Sequence, residues 1–273
     1  MSSKVAEVLP AGSVDKSLEQ VTPLILTYNE EANLARTLAG LHWAQRIVVV
    51  DSYSTDRTLE MLADHPRVFV LQRAFDTHAQ QWNAGLELIS DGWVLSLDAD
   101  YGVTHSLQIA MAKALLRADR FGINGFHIPF RYCVAGRPLH GTVLPPRLAL
   151  FRRRCGFYVD DGHTQDLQLV GPREALTEPI LHDDRKPLSR WLWAQERYLR
   201  LEVNKLLTTP SEQLSLADRL RKQHVVAPFA VLLLCLIRHR GIFDGWRGWF
   251  YAFQRMYVEI LFSLMLWEAR HGA

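Results

Sequence analysis

Residues Trp93–Gly102 read "WVLSLDADYG", an apolar strand-like run that ends in two aspartates one residue apart, Asp98 and Asp100. Carboxylates this close repel each other, and the segment holds no basic residue to relieve them. The arrangement has three physical readings. It binds a divalent cation, whose charge cancels the repulsion. It forms an acid–base pair with split pKa values. Or it caps and solvates a loop, a common use of aspartate.

The segments around it weigh on that choice. "VTPLILTYN" (21–29), "RIVVVD" (46–51) and "RVFVLQR" (67–73) are further strand-like runs, the second continuous enough for a strand buried on both faces. Helical patterns separate them. "EEANLARTLAGL" places Leu34, Leu38 and Leu41 at helical spacing, with Glu30 and Glu31 expected in the first turn. "DRTLEMLADHP" takes Ser54 or Thr55 as N-cap and ends at Pro66, and "THAQQWNAGLELIS" and "HSLQIAMAKALLRAD" follow. Strands alternating with helices imply βαβ units and a parallel sheet, whose ligands sit at the carboxyl ends of the strands. Thr27–Asn29, Asp51 and the Asp98/Asp100 pair all fall at such ends. Three strands thus deliver polar residues to one rim, which lowers the weight of the solvated-loop reading.

From Ile123 the pattern changes. "GFHIPFRYCVAGRPLHG" reads as strand, turn at Ala135-Gly136, strand; "RLALFRRRCGFYV" reads as another strand, and "DDGHTQD" (160–166) as a polar loop. The chain turns helical after "ILHDD". The domain reading is a mobile leader over 1–20, a catalytic domain over 21–185 with halves 21–120 and 121–185, and a helical region over 186–273.

The 273 residues carry a formal net charge of +2, which gives no whole-molecule case for nucleic-acid binding. Three widely spaced cysteines form neither a disulfide framework nor a CxxC metal site and suit a reducing compartment. The N-terminus lacks the apolar core of a signal peptide. A cytoplasmic location follows, peripheral on the cytosolic face of the inner membrane. Val225–Ile237 is shorter than the ~20 residues of a bilayer span. The aromatic-rich segment beyond it mixes Trp, Tyr and Phe with Arg247, Arg255 and Glu259. That mixture suits either an interfacial helix or a helical hairpin packed on the catalytic domain.

A Mg²⁺ or Mn²⁺ held by only one or two protein carboxylates normally takes phosphate oxygens as its other ligands. The Gly-rich loop of a P-loop or dinucleotide site is absent, so a metal at Asp100 is the device left to hold a diphosphate. His182, after a short apolar run, is a candidate to complete the metal shell or touch the diphosphate. Arg152–Arg154 are candidates to meet an anionic acceptor.

At this point "LILTYNEEANLARTL", "IVVVDSYSTDRTLEML" and "WVLSLDAD" resemble, in order and spacing, the three signatures of inverting family 2 glycosyltransferases. The later "GFHIPFRYCVAGRPLHG…RLALFRR" and "ILHDD" are similar to bacterial cell-envelope members that resemble lipopolysaccharide-core glucosyltransferases. The resemblance implies a GT-A fold, an α/β Rossmann-like, mostly parallel sheet flanked by helices, here with a C-terminal helical, aromatic-rich extension. It implies that Thr27, Tyr28, Asn29 and Glu30 meet the nucleotide-sugar, with Tyr28 stacked on the base and Asp51 accepting its hydrogen bonds. Arg73 and Asn83 would help to hold the donor. Asp98 would contact the ribose or the metal's waters, and Asp100 would ligate Mn²⁺ or Mg²⁺. The donor would be a UDP-sugar and the acceptor a glycan or lipid-linked molecule such as lipopolysaccharide core.

Inversion needs a base for the acceptor hydroxyl. The family places a carboxylate in a polar loop beyond mid-chain, where this chain offers Asp161 first, then Asp160 and His163. Relatives often carry His-Glu or Glu-Asp there, and His163-Thr164-Gln165 departs from that pattern. Two rival readings follow: a catalytically inactive nucleotide-binding scaffold of the same fold, and a sugar nucleotidyltransferase, which the glycine-free "LTYNEEAN" disfavours.

Overall fold

Strand and helix alternate through the first half of the chain, in a computed structural model that describes residues 13–161, 164–210, 212–222 and 225–272. The elements are α1 (Ser13–Leu18), β1 (Val21–Thr27), α2 (Leu34–Ala39), β2 (Ile47–Asp51), α3 (Thr58–Ala63), β3 (Val68–Gln72), α4 (His78–Glu87), β4 (Trp93–Asp98), β5 (Tyr101–Gly102) and α5 (His105–Phe121). Strands β3, β2, β1 and β4 lie side by side and parallel. Chain order reverses at β1, and the crevice at such a switch point is where α/β sheets bind ligands.

The second half extends the sheet. It runs β6 (Gly125–Ile128), β7 (Phe130–Val134), β8 (Arg137–Pro138), β9 (Arg147–Arg152), β10 (Gly156–Asp161), β11 (Thr164–Leu169), β12 (Arg173–Ala175) and β13 (Ile180–His182). Helices α6 (Leu188–Thr208), α7 (Leu216–Arg221), α8 (Val226–Leu233) and α9 (Trp246–His271) follow. The main sheet has seven strands in the order β12-β6-β9-β4-β1-β2-β3, with β9 antiparallel to both β4 and β6. A smaller sheet, β5-β13-β7-β8, stands beside the rim. The result is the expected mostly parallel α/β fold with a C-terminal helical segment.

Local chemistry explains the framework. All five β2 residues are buried, as continuous β-branched sequence requires. Thr77 caps α4 and Thr104 caps α5 by accepting from the backbone three residues on, each at 3.2 Å. Helix α5 ends at Gly122, in the left-handed conformation that glycine adopts without cost. Helix α4 lies so close to the sheet that a Cβ at Gly85 would collide with Leu24 and Val50. One core layer joins β1, β2 and β4 to α2 and α5; the other joins the opposite sheet face to α4 and the β10–β11 pair.

Several expectations need correction. Residues Ser13–Leu18 of the expected mobile leader form α1, which packs on α5 and buries Leu18 completely. The stretch 147–159 is two strands in different sheets, because a turn over Arg153–Cys155 breaks it. Arg153 anchors that turn by donating to the Leu86 and Ile89 carbonyls. Within the polar "DDGHTQD" stretch, Asp160 and Asp161 end β10 and Thr164–Asp166 begin β11, paired strands where an open loop is expected. Glu30 and Glu31 precede α2 instead of entering its first turn. Arg57, not Ser54 or Thr55, stands at the N-cap of α3 without a side-chain cap bond, and Asp56 just ahead of it accepts from Thr58 N at 3.0 Å.

Candidate active site

At the carboxyl rim, β1 and β2 end in register at Thr27 and Asp51. Asp51 is 0% exposed, and its carboxylate accepts from Thr27 Oγ1 (2.9 Å), Ser54 Oγ (2.5 Å) and Ser54 N (2.9 Å). The loop after β1 is tied to the loop after β2. Asn29 N donates to Ser54 Oγ (2.9 Å), Thr55 N donates to Asn29 Oδ1 (2.8 Å), and Glu30 N donates to Thr58 Oγ1 (2.8 Å). Asp51, expected to hydrogen-bond a base, has both oxygens engaged in organising these loops. Thr27 and Asn29 likewise hold the rim together.

Glu30 is likewise engaged within the protein. Its carboxylate takes Lys186 Nζ at 2.5 Å and Asn33 Nδ2 at 3.0 Å, stapling the segment after β13 to the end of β1. Burial pushes its carboxyl up to about 7; Lys186 opposes the rise and Asp100 adds to it. Asn33 also donates to Asp184 (3.0 Å), and Arg36 donates to the Asp183 carbonyl (2.7 Å).

The acidic pair diverges. Asp98 is half-exposed and faces Arg147 Nη1 at 3.5 Å, and the same nitrogen is 3.4 Å from Tyr101 Oη. Asp100 is reached by His182 Nε2 at 3.1 Å, because β13 pairs with β5 and places His182 opposite Tyr101. The other Asp100 oxygen, Oδ1, is buried with no hydrogen-bond partner, as are His182 Nδ1 and Asp183 Oδ1. Burial alone would lower the pKa of the imidazole; the Asp100 charge and hydrogen bond instead hold it above its usual value. Among the described residues no three His, Cys, Asp or Glu side chains form a ready metal cage. An orphaned carboxylate oxygen at a rim does fit a cation that draws its remaining ligands from phosphate and water. His182, expected in the metal shell, meets Asp100 through Nε2 and so orients the carboxylate.

Other expected residues land variously. Tyr28 is exposed at the rim, with the Arg190 guanidinium 5.7 Å from its ring centre. Arg73 reaches the rim beside Asp51, but its guanidinium is already paired with Asp76 (2.8 Å) and bonded to Gln81 (2.6 Å). The Asn83 amide donates to the Tyr158 carbonyl and accepts from Tyr158 N, both at 2.9 Å, fastening β10 to α4. Asp161 pairs with Lys205 of α6 at 2.7 Å. Asp160 lies opposite Gln165 in the hairpin, so the two side chains share a face. With its amide oxygen turned toward them, Gln165 accepts from Trp82 Nε1 (3.1 Å) and Arg147, so that face borders the Asp98 cluster. His163 lies outside the described residues. Arg152–Arg154 sit at the opposite end of β4, engaged with Asp119, the Leu86 and Ile89 carbonyls, and Asp91, so they cannot meet an acceptor at the rim.

Sequence reasoning passed over Tyr53, Arg147, Gln165 and Lys186. Tyr53 carried a signal in hindsight: it is a bulky residue within a polar turn. It adopts φ of 59° and is 55% exposed. That conformation costs about 1–3 kcal/mol and concentrates at functional rims. Arg147 and Lys186 carried none, since a single cation in a loop is ordinary.

A mostly parallel sheet thus carries an acidic pair and exposed tyrosines at its switch-point rim, where α/β sheets bind ligands. The profile of the family described as "Glycosyl transferase family 2" matches residues 24–165, slightly more than half of the chain. The chain belongs to glycosyl transferase family 2 and is a glycosyltransferase that uses a nucleotide-sugar donor. Among solved structures it is similar to S. aureus TarS 1-349 in complex with UDP-GlcNAc, at 14% identity over 92% of each chain and a TM-score of 0.48. It is also similar to the same protein in complex with UDP, at 15% identity over 93% of this chain and 92% of that one, TM-score 0.46. No curated protein matches the chain. The assignment rests on the family profile.

Proposed function

We propose that this glycosyltransferase moves a sugar from a UDP-sugar, with inversion, onto a glycan or lipid-linked acceptor of the cell envelope such as lipopolysaccharide core. The observation that carries the reading is Asp100, held by His182 through one oxygen and left with a buried, unpartnered oxygen at the rim. Mn²⁺ or Mg²⁺ would be held by Asp100, with Asp98 beside it. When bound, the cation supplies positive charge to the departing diphosphate. Tyr28 and Tyr53, exposed after the ends of β1 and β2, offer ring faces for the uracil. Arg147 keeps Asp98 oriented and partly neutralised.

Of the candidate bases, Asp160 fits best, because it shares a face with Gln165 beside the Asp98 cluster, whereas Asp161 is engaged by Lys205. Asp160 takes the acceptor hydroxyl's proton as that oxygen bonds to the anomeric carbon from the face opposite the leaving group. The bond from that carbon to the diphosphate oxygen breaks, and UDP departs.

A panel of nucleotide-sugars with Mn²⁺, scored by thermal stabilisation and donor hydrolysis, tests the reading. Asp100→Ala is expected to remove Mn²⁺-dependent UDP stabilisation and lower turnover by ~10²-fold or more. Asp160→Asn should keep UDP binding and lose transfer while Asp161→Asn keeps both; the reverse pattern would return the base role to Asp161. Binding without any turnover in the wild-type chain would favour the inactive-scaffold alternative.

A further inference from the structure

The final helix has two apolar sides. Along α9, one face buries Tyr251, Ala252, Val258, Phe262 and Leu266 against α6, α8 and the sheet domain. The opposite face exposes Trp246, Trp249, Phe250, Phe253, Ile260 and Leu264. At 100° per residue these six fall within one third of the helix circumference, a stripe along much of a helix about 39 Å long. Helix α8 adds Val226, Phe229 and Leu233, also exposed and spaced three or four residues apart. A shallow groove of about 170 Å³, walled by Phe229, Ile260 and Leu264 among others, joins the two stripes into a single face. Soluble monomers rarely expose so large a contiguous apolar patch without a partner for it.

Charge identifies the partner. The turn between α8 and α9 projects Ile237, Ile242 and Phe243, the last 74% exposed, with Arg238 and Arg240 exposed beside them. Arg247 stacks on Trp246 at 4.8 Å. Between Val225 and Trp267 the only acidic residues are Asp244 and Glu259. Both are already paired, Asp244 with His140 (2.6 Å) and Glu259 with Arg221 (3.0 Å). Exposed aromatics and aliphatics flanked by arginines, with a single exposed carboxylate, Glu268, at the far end beside Trp267, complement an acyl–headgroup boundary carrying negative charge. Among the described residues no helix is long and apolar enough to cross a membrane.

We propose that this face, the outer sides of α8 and α9 with the turn between them, docks in the plane of a leaflet rich in anionic phospholipid. Tyr251 on the inner side of α9 packs on Tyr132 (4.8 Å between ring centres), and Tyr132 packs on His182 (4.8 Å), the partner of Asp100. Roughly one helix diameter, about 10 Å, then separates that wall of the site from the lipid. A sugar acceptor anchored in the same leaflet would be held beside the rim. The docking surface stands on exposure and charge alone; only this last consequence rests on the proposed transfer reaction.

Sedimentation of the full chain with vesicles tests the surface, without donor present. The wild type is expected to pellet with vesicles of phosphatidylcholine mixed with phosphatidylglycerol at least about tenfold more strongly than with phosphatidylcholine alone, and less at high salt. Phe243→Asp with Trp246→Asp should abolish pelleting; Arg238→Glu with Arg240→Glu should abolish the preference for the anionic vesicles. Both double variants should keep the wild-type melting temperature and donor hydrolysis. A wild type that stays in the supernatant, or variants that pellet as well as it does, would overturn the inference. So would a dimer in light scattering that Phe243→Asp with Trp246→Asp dissociates while no form binds vesicles, since the face would then belong to a second copy. Absence of donor hydrolysis by the wild type would count against the transferase mechanism and leave the vesicle result standing.

Discussion

The rim loops and the C-terminal helical pair solve opposite problems. Around Asp51, polar side chains turn inward and satisfy one another: Thr27, Asn29, Ser54 and Thr55 are joined at 2.5–2.9 Å with little contact to solvent at the centre. In α8 and α9, apolar side chains turn outward although a core lies within reach. Polarity alone therefore does not say which residues are inside. Placement follows from which groups can find partners, since a buried polar group without one costs more than an exposed apolar group.

The largest test of that contrast compares two phenylalanines. Phe262→Ala, at a position 0% exposed, should cost about 3–5 kcal/mol, whereas Phe243→Asp should stay within about 0.5 kcal/mol of wild type. Equal losses in thermal or urea melts would mean that the outer face is packed after all. Next, Asp51→Ala removes the acceptor of three hydrogen bonds and strands the Thr27 hydroxyl and the Ser54 amide. About 2–4 kcal/mol should be lost, with donor binding falling alongside, read by calorimetry with UDP and Mn²⁺. A smaller loss, about 1–3 kcal/mol, is expected of Asn83→Ala, which releases both backbone groups of Tyr158.

The smallest effect concerns pH. Between its ordinary 4.5 and the raised value of about 7, Glu30 keeps a proton in the folded chain that the unfolded chain has already released. Stability should therefore fall as pH rises through that interval, and Glu30→Gln should flatten the slope in pH-dependent melts. An unchanged slope in the variant would place the titration elsewhere.

Asn83 and Asp161 show what a motif cannot convey. Both stand where the family resemblance expects function, yet Asn83 fastens a hairpin to a helix and Asp161 meets a lysine forty-four residues further on. The opposite holds for Glu259. In the sequence it only interrupts an apolar run, whereas the fold turns it inward to Arg221. A residue's type constrains what it can bond to, but the bond depends on a partner that arrives from elsewhere in the chain.

By itself the sequence determined the alternation of strands and helices, the parallel sheet, the gathering of Thr27, Asp51, Asp98 and Asp100 at one rim, and the family. These depend on periodicities of two and 3.6 residues and on strand ends, which neighbouring residues encode. Tertiary structure alone decided that Asp98 faces Arg147 while Asp100 faces His182, and that Glu30 holds Lys186. It alone decided that α9 shows an unbroken apolar stripe to the outside. Each of these contacts joins segments tens of residues apart or depends on which side of a helix faces the core, and local pattern carries no record of either.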